Sequence, residues 1–221
     1  MADPFENLSY NYIAPAVRAN GEQAILKICI PNVELTTEIE ALRSYDGRGC
    51  VKLLAANHKL GAMLLERIKP GTQLLCVSDD DAATRIAAQV MLQLWRPVPD
   101  DHPFPTVARW AQGFERMRQH YAGGTGPLPP DLVEQAEALF TELLGSMETA
   151  VLLHGDLHHE NILHAERQPW LAIDPKGVLG EPASEVGALL RSIKPQRLKF
   201  SPARHILSRR VGILAEDLGV G

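Results

Sequence analysis

One stretch constrains this chain more than any other: Val151-Leu152-Leu153-His154-Gly155-Asp156-Leu157-His158-His159-Glu160-Asn161-Ile162-Leu163. Two short apolar runs flank a polar loop, the pattern of two buried strands that present a loop between them. Asp156 and Asn161 stand five residues apart inside that loop. A further apolar run, Trp170 to Ile173, ends in Asp174, just before Pro175. Buried strands fix their ends, so a carboxylate, an amide and a second carboxylate arrive at strand ends as a set. Taken singly, each residue has a bland explanation. Asp156 and Asn161 can cap turns, Asp174 can start one, and His154 can be a satisfied loop histidine.

Taken together, the spacing His154-x-Asp156-Leu157-x-x-x-Asn161 is that of a kinase catalytic loop. Phosphoryl transfer needs a carboxylate near the attacking hydroxyl. It also needs a carboxylate and an amide oxygen to hold Mg²⁺ against the nucleotide phosphates. Lys27 fits the same scheme. It interrupts Gln23 to Ile30, an aliphatic and β-branched run. A lysine in an apolar strand is costly unless its ammonium finds a partner. The next segment, Glu34 to Tyr45, has helical spacing and offers Glu38 and Glu40. Glu38 is preferred for the pairing, from its distance to the turn at Asp46-Gly47. The plainer alternative is a snorkelling edge-strand lysine with both glutamates in water.

The rest of the chain arranges itself around these points. Asn20-Gly21 is a two-residue hairpin signal, so Ile13 to Arg18 and Gln23 to Ile30 should pair, although Pro15 weakens the first strand. Cys50 to Ala56 and Ala62 to Leu65 are further expected strands. After Pro70-Gly71 the pattern becomes helical: a stripe from Ala83 to Leu94 stopped by Pro97, then Thr106 to Tyr121 and Asp131 to Met147. The Gly- and Pro-rich segment 123–130 joins two helices and lacks a preceding strand, so it is a connector and not a phosphate cradle. Glu181 to Leu190 is an expected helix, and Leu207, Val211, Leu214 and Leu218 form a last amphipathic stripe. The expectation is an α+β, two-lobed protein-kinase-like fold. Residues 1–68 would be a small antiparallel sheet with one helix, and residues 69–221 a mostly helical lobe with the catalytic loop and acceptor site.

These residues resemble the aminoglycoside phosphotransferases, a family of small-molecule kinases, and within it the streptomycin 6-kinase and hydroxyurea-kinase branch. The resemblance is carried by the strand ending at Lys27, the helix with Glu38, Leu64 to Arg67, His154 to Leu163, and Ala172-Ile173-Asp174-Pro175-Lys176-Gly177 with Gly180-Glu181-Pro182. It implies transfer of the γ-phosphate of ATP, with Mg²⁺, to a hydroxyl of an aminoglycoside such as streptomycin, an antibiotic-resistance activity. It makes Asp156 the catalytic base, Asn161 and Asp174 the metal ligands, and Lys27 a phosphate contact oriented by Glu38. Leu65 to Ile68 would be the hinge between lobes, where the carbonyl of Glu66 and the N–H of Ile68 meet adenine. The phosphate-covering loop should lie near Leu8 to Tyr12; it has no glycine, which leaves Ser9 and backbone N–H groups as contacts. Glu181, Glu185, Asp100 and Asp101 are the candidate counter-charges for a cationic acceptor, the last two more simply read as surface charge. Relative to the family pattern the chain is expected to be shortened at both ends.

Other features narrow the class. Gly155 replaces the arginine that precedes the catalytic aspartate in protein kinases, and no long segment separates Asp174 from the next expected helix. A phosphorylation switch is therefore not expected. A net charge of −5 without a basic block argues against nucleic acid. No apolar run approaches a membrane span, and the N-terminus lacks the basic and apolar regions of a signal peptide. Three scattered cysteines suit reduced thiols and a cytoplasmic protein. Nothing in the sequence sets an oligomeric state. Two alternatives stay open at this level. One is a kinase-like nucleotide-binding protein without turnover. The other is a metallohydrolase built on His154, Asp156, His158, His159 and His164.

Overall fold

The computed structural model describes residues 11–147, 149–193 and 202–219. Ser9 lies outside them. The chain opens with β1 (Tyr12–Val17) and β2 (Gln23–Ile28), antiparallel, with Ile13 opposite Lys27. Gly21, at φ 84°, takes the left-handed conformation that the tight turn requires. Pro15 is tolerated because β1 is the edge of a four-stranded sheet ordered β1-β2-β4-β3, where β3 is Leu53–Asn57 and β4 is Ala62–Glu66.

Between β2 and β3 runs α1 (Val33–Tyr45). Asn32 starts it by accepting a hydrogen bond from the Leu35 N–H at 2.9 Å, and Asp46 ends it in the left-handed region. Leu35, Glu38, Leu42 and Tyr45 share its buried face. The segment after α1 departs from the expected strand at Cys50 to Ala56. Cys50 forms a parallel bridge to Ala172 and regular strand begins at Leu53. That bridge ties the amino-terminal sheet to the region of the polar loop.

Past β4 the expected helical pattern is delayed. β5 (Pro70–Gln73) first pairs with β7 (Ile162–Ala165), which pairs in turn with β8 (Trp170–Ala172). Next comes α2 (Asp80–Leu94), capped by Asp79 and closed where Trp95 turns extended ahead of Pro97. Then α3 (Val107–His120) and α4 (Pro130–Gly145) precede β6 (Val151–Leu153), which pairs with β9 (Val178–Gly180). Glu181 to Leu190 is not one helix: a 3₁₀ turn over Pro182–Glu185 leads into α5 (Val186–Arg191). The chain continues to α6 (Ala203–Leu218). Its buried face is Ile206, Arg210, Ile213, Leu214 and Leu218, while Val211 is exposed. The expected stripe is rotated because Arg210 turns inward. Its fork meets Asp80 at 2.7 and 3.1 Å and donates to the carbonyls of Leu189 and Ser192, both at 2.9 Å.

One apolar core crosses position 68, joining Ile39, Leu42 and Met63 to Met91, Leu94, Leu152 and Ile162. Arg167, in the β7–β8 turn, adds a polar clasp. It holds the Glu66 carboxylate at 2.9 and 3.0 Å and the carbonyls of Gly47 and Cys50 at 2.7 and 3.1 Å. Among the described residues no helix is long and apolar enough to cross a membrane.

Candidate active site

The polar loop leaves β6 at His154 and is held by its own backbone. His154 is fully buried. Its Nδ1 accepts from the Asp156 N–H at 3.2 Å, so Nε2 carries the proton and donates to the Ile173 carbonyl at 2.8 Å. Burial pushes its pKa down to about 4, which keeps the ring neutral. The His154 carbonyl accepts from the N–H groups of Lys176 and Gly177 at 2.7 and 3.2 Å. One residue thus fastens the Asp156 loop to the Asp174 loop.

Gly155 has a structural reason to be glycine. At φ 82°, a Cβ there would sit 2.8 Å from Val178 Cγ2 and 3.2 Å from Lys176 Cβ. The absent arginine is therefore also a steric requirement of this packing.

Asn161 ends a 3₁₀ turn over His159–Asn161 and donates from Nδ2 to the Asp156 carbonyl at 3.0 Å. Its amide nitrogen is thereby engaged within the loop. The Ile173 N–H donates to the Asn161 carbonyl at 2.9 Å, which brings Asp174 beside Asn161. Asp174 adopts φ 60°, a left-handed conformation uncommon for a residue with a side chain and often found at functional sites.

Lys27 completes the cluster from β2. Its Nζ lies 2.6 Å from Glu38 Oε1 and 3.2 Å from Asp174 Oδ1. Lys27 is 2 % exposed, and burial alone would favour the neutral amine. The charges of Asp174 and Glu38 outweigh that cost and raise its pKa above the ordinary lysine value. Glu40 faces away and pairs with Arg43.

The remaining expected site residues are distributed differently. Glu66 ends β4. Burial raises its carboxyl pKa, but hydrogen bonds from Arg167 and the Lys52 N–H outweigh this and hold it below the usual range. Its side chain is thus committed to the Arg167 clasp. Ile68 follows, half-buried against the core. Glu185, one of the expected counter-charges, lines the cavity beside Asp156 but is turned to the backbone. It is 1 % exposed, and its carboxylate accepts from the N–H groups of His154 at 2.6 Å and Gly155 at 2.9 Å. Both oxygens accept from the backbone of the Asp156 loop. Burial nonetheless pushes its pKa up to about 7. Glu181 is half-buried and does not line the cavity beside Asp156.

That cavity encloses about 720 Å³ and is walled in part by Glu34, Thr37, Trp110, Asp156, Lys176 and Arg191. Lys27, Asn161 and Asp174 do not line it. Sequence reasoning missed Glu34, Trp110 and Arg191, which come from three separate helices. Arg191 reaches Asp156 Oδ1 at 3.3 Å, and Lys176 reaches Glu34 at 3.4 Å.

A histidine metal centre is not favoured. Both ring nitrogens of His154 are engaged, and His158 Nδ1 accepts from the Glu160 N–H at 3.2 Å. His164 packs edge-on against the Trp170 ring, 5.2 Å between centroids. Among the described residues no group of three or more His, Cys, Asp or Glu side chains could hold a metal ion. The oxygens of Asp174 and Asn161 instead suit a hard cation that keeps water and phosphate ligands, as Mg²⁺ does.

Residues 4–221 match the family of aminoglycoside/hydroxyurea antibiotic resistance kinases. Streptomycin 6-kinase of Streptomyces glaucescens is 32 % identical over 209 residues, spanning 94 % of this chain and 67 % of its own length. Hydroxyurea phosphotransferase of Kitasatospora aureofaciens is 36 % identical over 186 residues, spanning 79 % of this chain and 52 % of its own. Among solved structures, the macrolide 2'-phosphotransferase of Brachybacterium faecium superposes with a TM-score of 0.63 at 16 % identity, covering 97 % of this chain and 75 % of that one. At that identity the likeness speaks to the fold.

Proposed function

Because the chain belongs to the aminoglycoside/hydroxyurea antibiotic resistance kinase family, we propose that it is a phosphotransferase moving the γ-phosphoryl group of ATP to a hydroxyl of a small antibiotic, with a streptomycin-like aminoglycoside as acceptor. The observation that carries this reading is the contact chain Glu38–Lys27–Asp174, at 2.6 and 3.2 Å, beside a loop that presents Asp156.

In this reading Lys27 holds the α- and β-phosphates, with Glu38 fixing its ammonium. The Glu66 carbonyl and the Ile68 N–H take the adenine edge, a role for the Glu66 backbone that its side-chain clasp leaves open. Asp174 and Asn161 hold Mg²⁺, which when bound neutralises phosphate charge. Asp156 faces the cavity and receives the proton of the acceptor hydroxyl. The acceptor oxygen forms its bond to the γ-phosphorus, the bond from that phosphorus to the β–γ bridging oxygen breaks, and the electron pair leaves with ADP. A cationic group on the acceptor finds Glu34, whose side chain is 73 % exposed.

The deciding experiment measures Mg²⁺-ATP consumption against streptomycin, other aminocyclitols and hydroxyurea, with Asp156→Asn as the control. Asn keeps the shape and removes the proton acceptor, so turnover should fall ~10²–10⁴-fold while nucleotide binding persists. Nucleotide binding by the parent chain without turnover on any acceptor would instead favour a binding protein. Turnover by Asp156→Asn within about twofold of the parent would remove Asp156 from the reaction.

A further inference from the structure

We propose that Arg191 is an acceptor-binding residue: its guanidinium donates to an oxygen of the acceptor next to the hydroxyl that is phosphorylated. This rests on the kinase reading above and adds a specificity-determining group to it.

Three arginines of this chain can be compared directly. Arg210 is 1 % exposed and donates to Asp80, Leu189 and Ser192. Arg167 grips Glu66 with two nitrogens and two backbone carbonyls besides. Both are saturated in the way that structural arginines are. Arg191 differs. Its side chain is 73 % exposed, and among the described residues its guanidinium makes one contact, Nη2 to Asp156 Oδ1 at 3.3 Å. That is longer than the ~2.7–2.9 Å of a strong charged hydrogen bond. Among the described residues, most of its five donors meet no partner.

The backbone beneath Arg191 is nevertheless fixed. Arg210 clamps the carbonyls of Leu189 and Ser192, on either side of it, to Asp80 at the start of α2. The end of α5 is therefore anchored while the side chain projects into the cavity that Asp156 lines. An anchored base and an unsaturated fork suit ligand contact better than fold maintenance. The fork meets the same carboxylate that takes the proton, so its free N–H groups lie next to the attacking hydroxyl. They have no use for a cationic substituent there. They suit a lone pair: the neighbouring hydroxyl of a vicinal diol, or the carbonyl oxygen beside an N-hydroxyl. A cyclitol ring supplies the first and hydroxyurea the second. The acceptor's positive groups are then directed away from Arg191.

The test compares the parent, Arg191→Met and Arg191→Lys by steady-state kinetics, with streptomycin and hydroxyurea as the acceptors and thermal melts as the fold control. Met keeps stem volume without donors; Lys keeps charge without the planar fork. For the acceptor that the parent phosphorylates, Arg191→Met should raise KM about 10- to 100-fold, as expected for loss of a charged hydrogen bond. Arg191→Lys should fall between, and the KM for Mg²⁺-ATP should move less than about twofold. An unchanged acceptor KM, or a fall confined to kcat, in variants that melt like the parent overturns the proposal and leaves the Arg191–Asp156 contact as a surface ion pair. A parent that turns over neither of these nor any other aminocyclitol overturns the kinase reading itself, and this inference with it.

Discussion

Lys27 Nζ and Asp174 Oδ1, 147 positions apart in the chain, lie 3.2 Å from each other, with Glu38 closing the other side of the ammonium at 2.6 Å. In the proposed reading a buried cation held between two carboxylates would serve both stability and phosphate binding, and the two roles can be separated. Lys27→Met keeps most of the packing volume but leaves Glu38 buried without its partner. Removing one member of a buried pair typically costs about 3–5 kcal/mol. The double variant Lys27→Met/Glu38→Gln should recover part of that loss in a chemical melt, yet no turnover. Recovery of turnover by the double variant would show that the ammonium does not contact the nucleotide.

Asp174→Ala should weaken Mg²⁺-dependent nucleotide binding more than Asn161→Ala does. Both oxygens suit a hard cation, but only Asp174 brings charge. Asn161→Ala also removes the 3.0 Å tie to the Asp156 carbonyl, so it should lower kcat beyond its effect on metal affinity. Titration of Mg²⁺-nucleotide into each variant orders the two. Equal affinity in Asp174→Ala and the parent would remove Asp174 from the metal site.

Glu185 predicts a pH dependence of stability. Burial pushes its folded pKa up to about 7 from an ordinary 4.5. Between these values the folded state binds more protons than the unfolded state, so stability contributed by this group falls as pH rises from about 4.5 to 7, by up to ~3 kcal/mol. Glu185→Gln lacks this term and carries a nearly constant offset. The melting temperature of the parent relative to Glu185→Gln should therefore decline from pH 5 to pH 8. A rising difference would mean that the two backbone donors keep Glu185 ionised throughout.

Arg210→Met should destabilise the fold by about 3 kcal/mol, because Asp80 is left buried without its fork. Arg209, 3.6 Å from Asp80, limits the loss. Urea melts measure it. If Arg210 also anchors the end of α5, the variant should raise the acceptor KM. A loss below about 1 kcal/mol would make the pair no stronger than an exposed one.

Local features of the sequence carried much of this. Apolar runs around Asp156, Asn161 and Asp174 specify strands whose ends converge. The choice of Glu38 over Glu40 also lies in the helical period, since Glu38 shares a face with Leu35, Leu42 and Tyr45 whereas Glu40 does not. Asn32, Asp79 and the Asn20-Gly21 turn set their own boundaries through short-range hydrogen bonds and backbone preference. Such interactions span a few residues, so spacing encodes them.

Tertiary structure decided the fate of the charges. Nothing near Glu185 distinguishes a carboxylate that waits for a cation from one that clasps N–H groups 30 and 31 residues away. Arg210 interrupts an apolar stripe, and only the approach of Asp80, 130 residues earlier in the chain, makes its burial tolerable. Arg191 looks like any helix-end arginine until α5 is set beside the Asp156 loop. Periodicity and local spacing determine which residues face inward and where elements begin. The partner that a charge finds depends on which elements pack together, and that is a property of the folded chain alone.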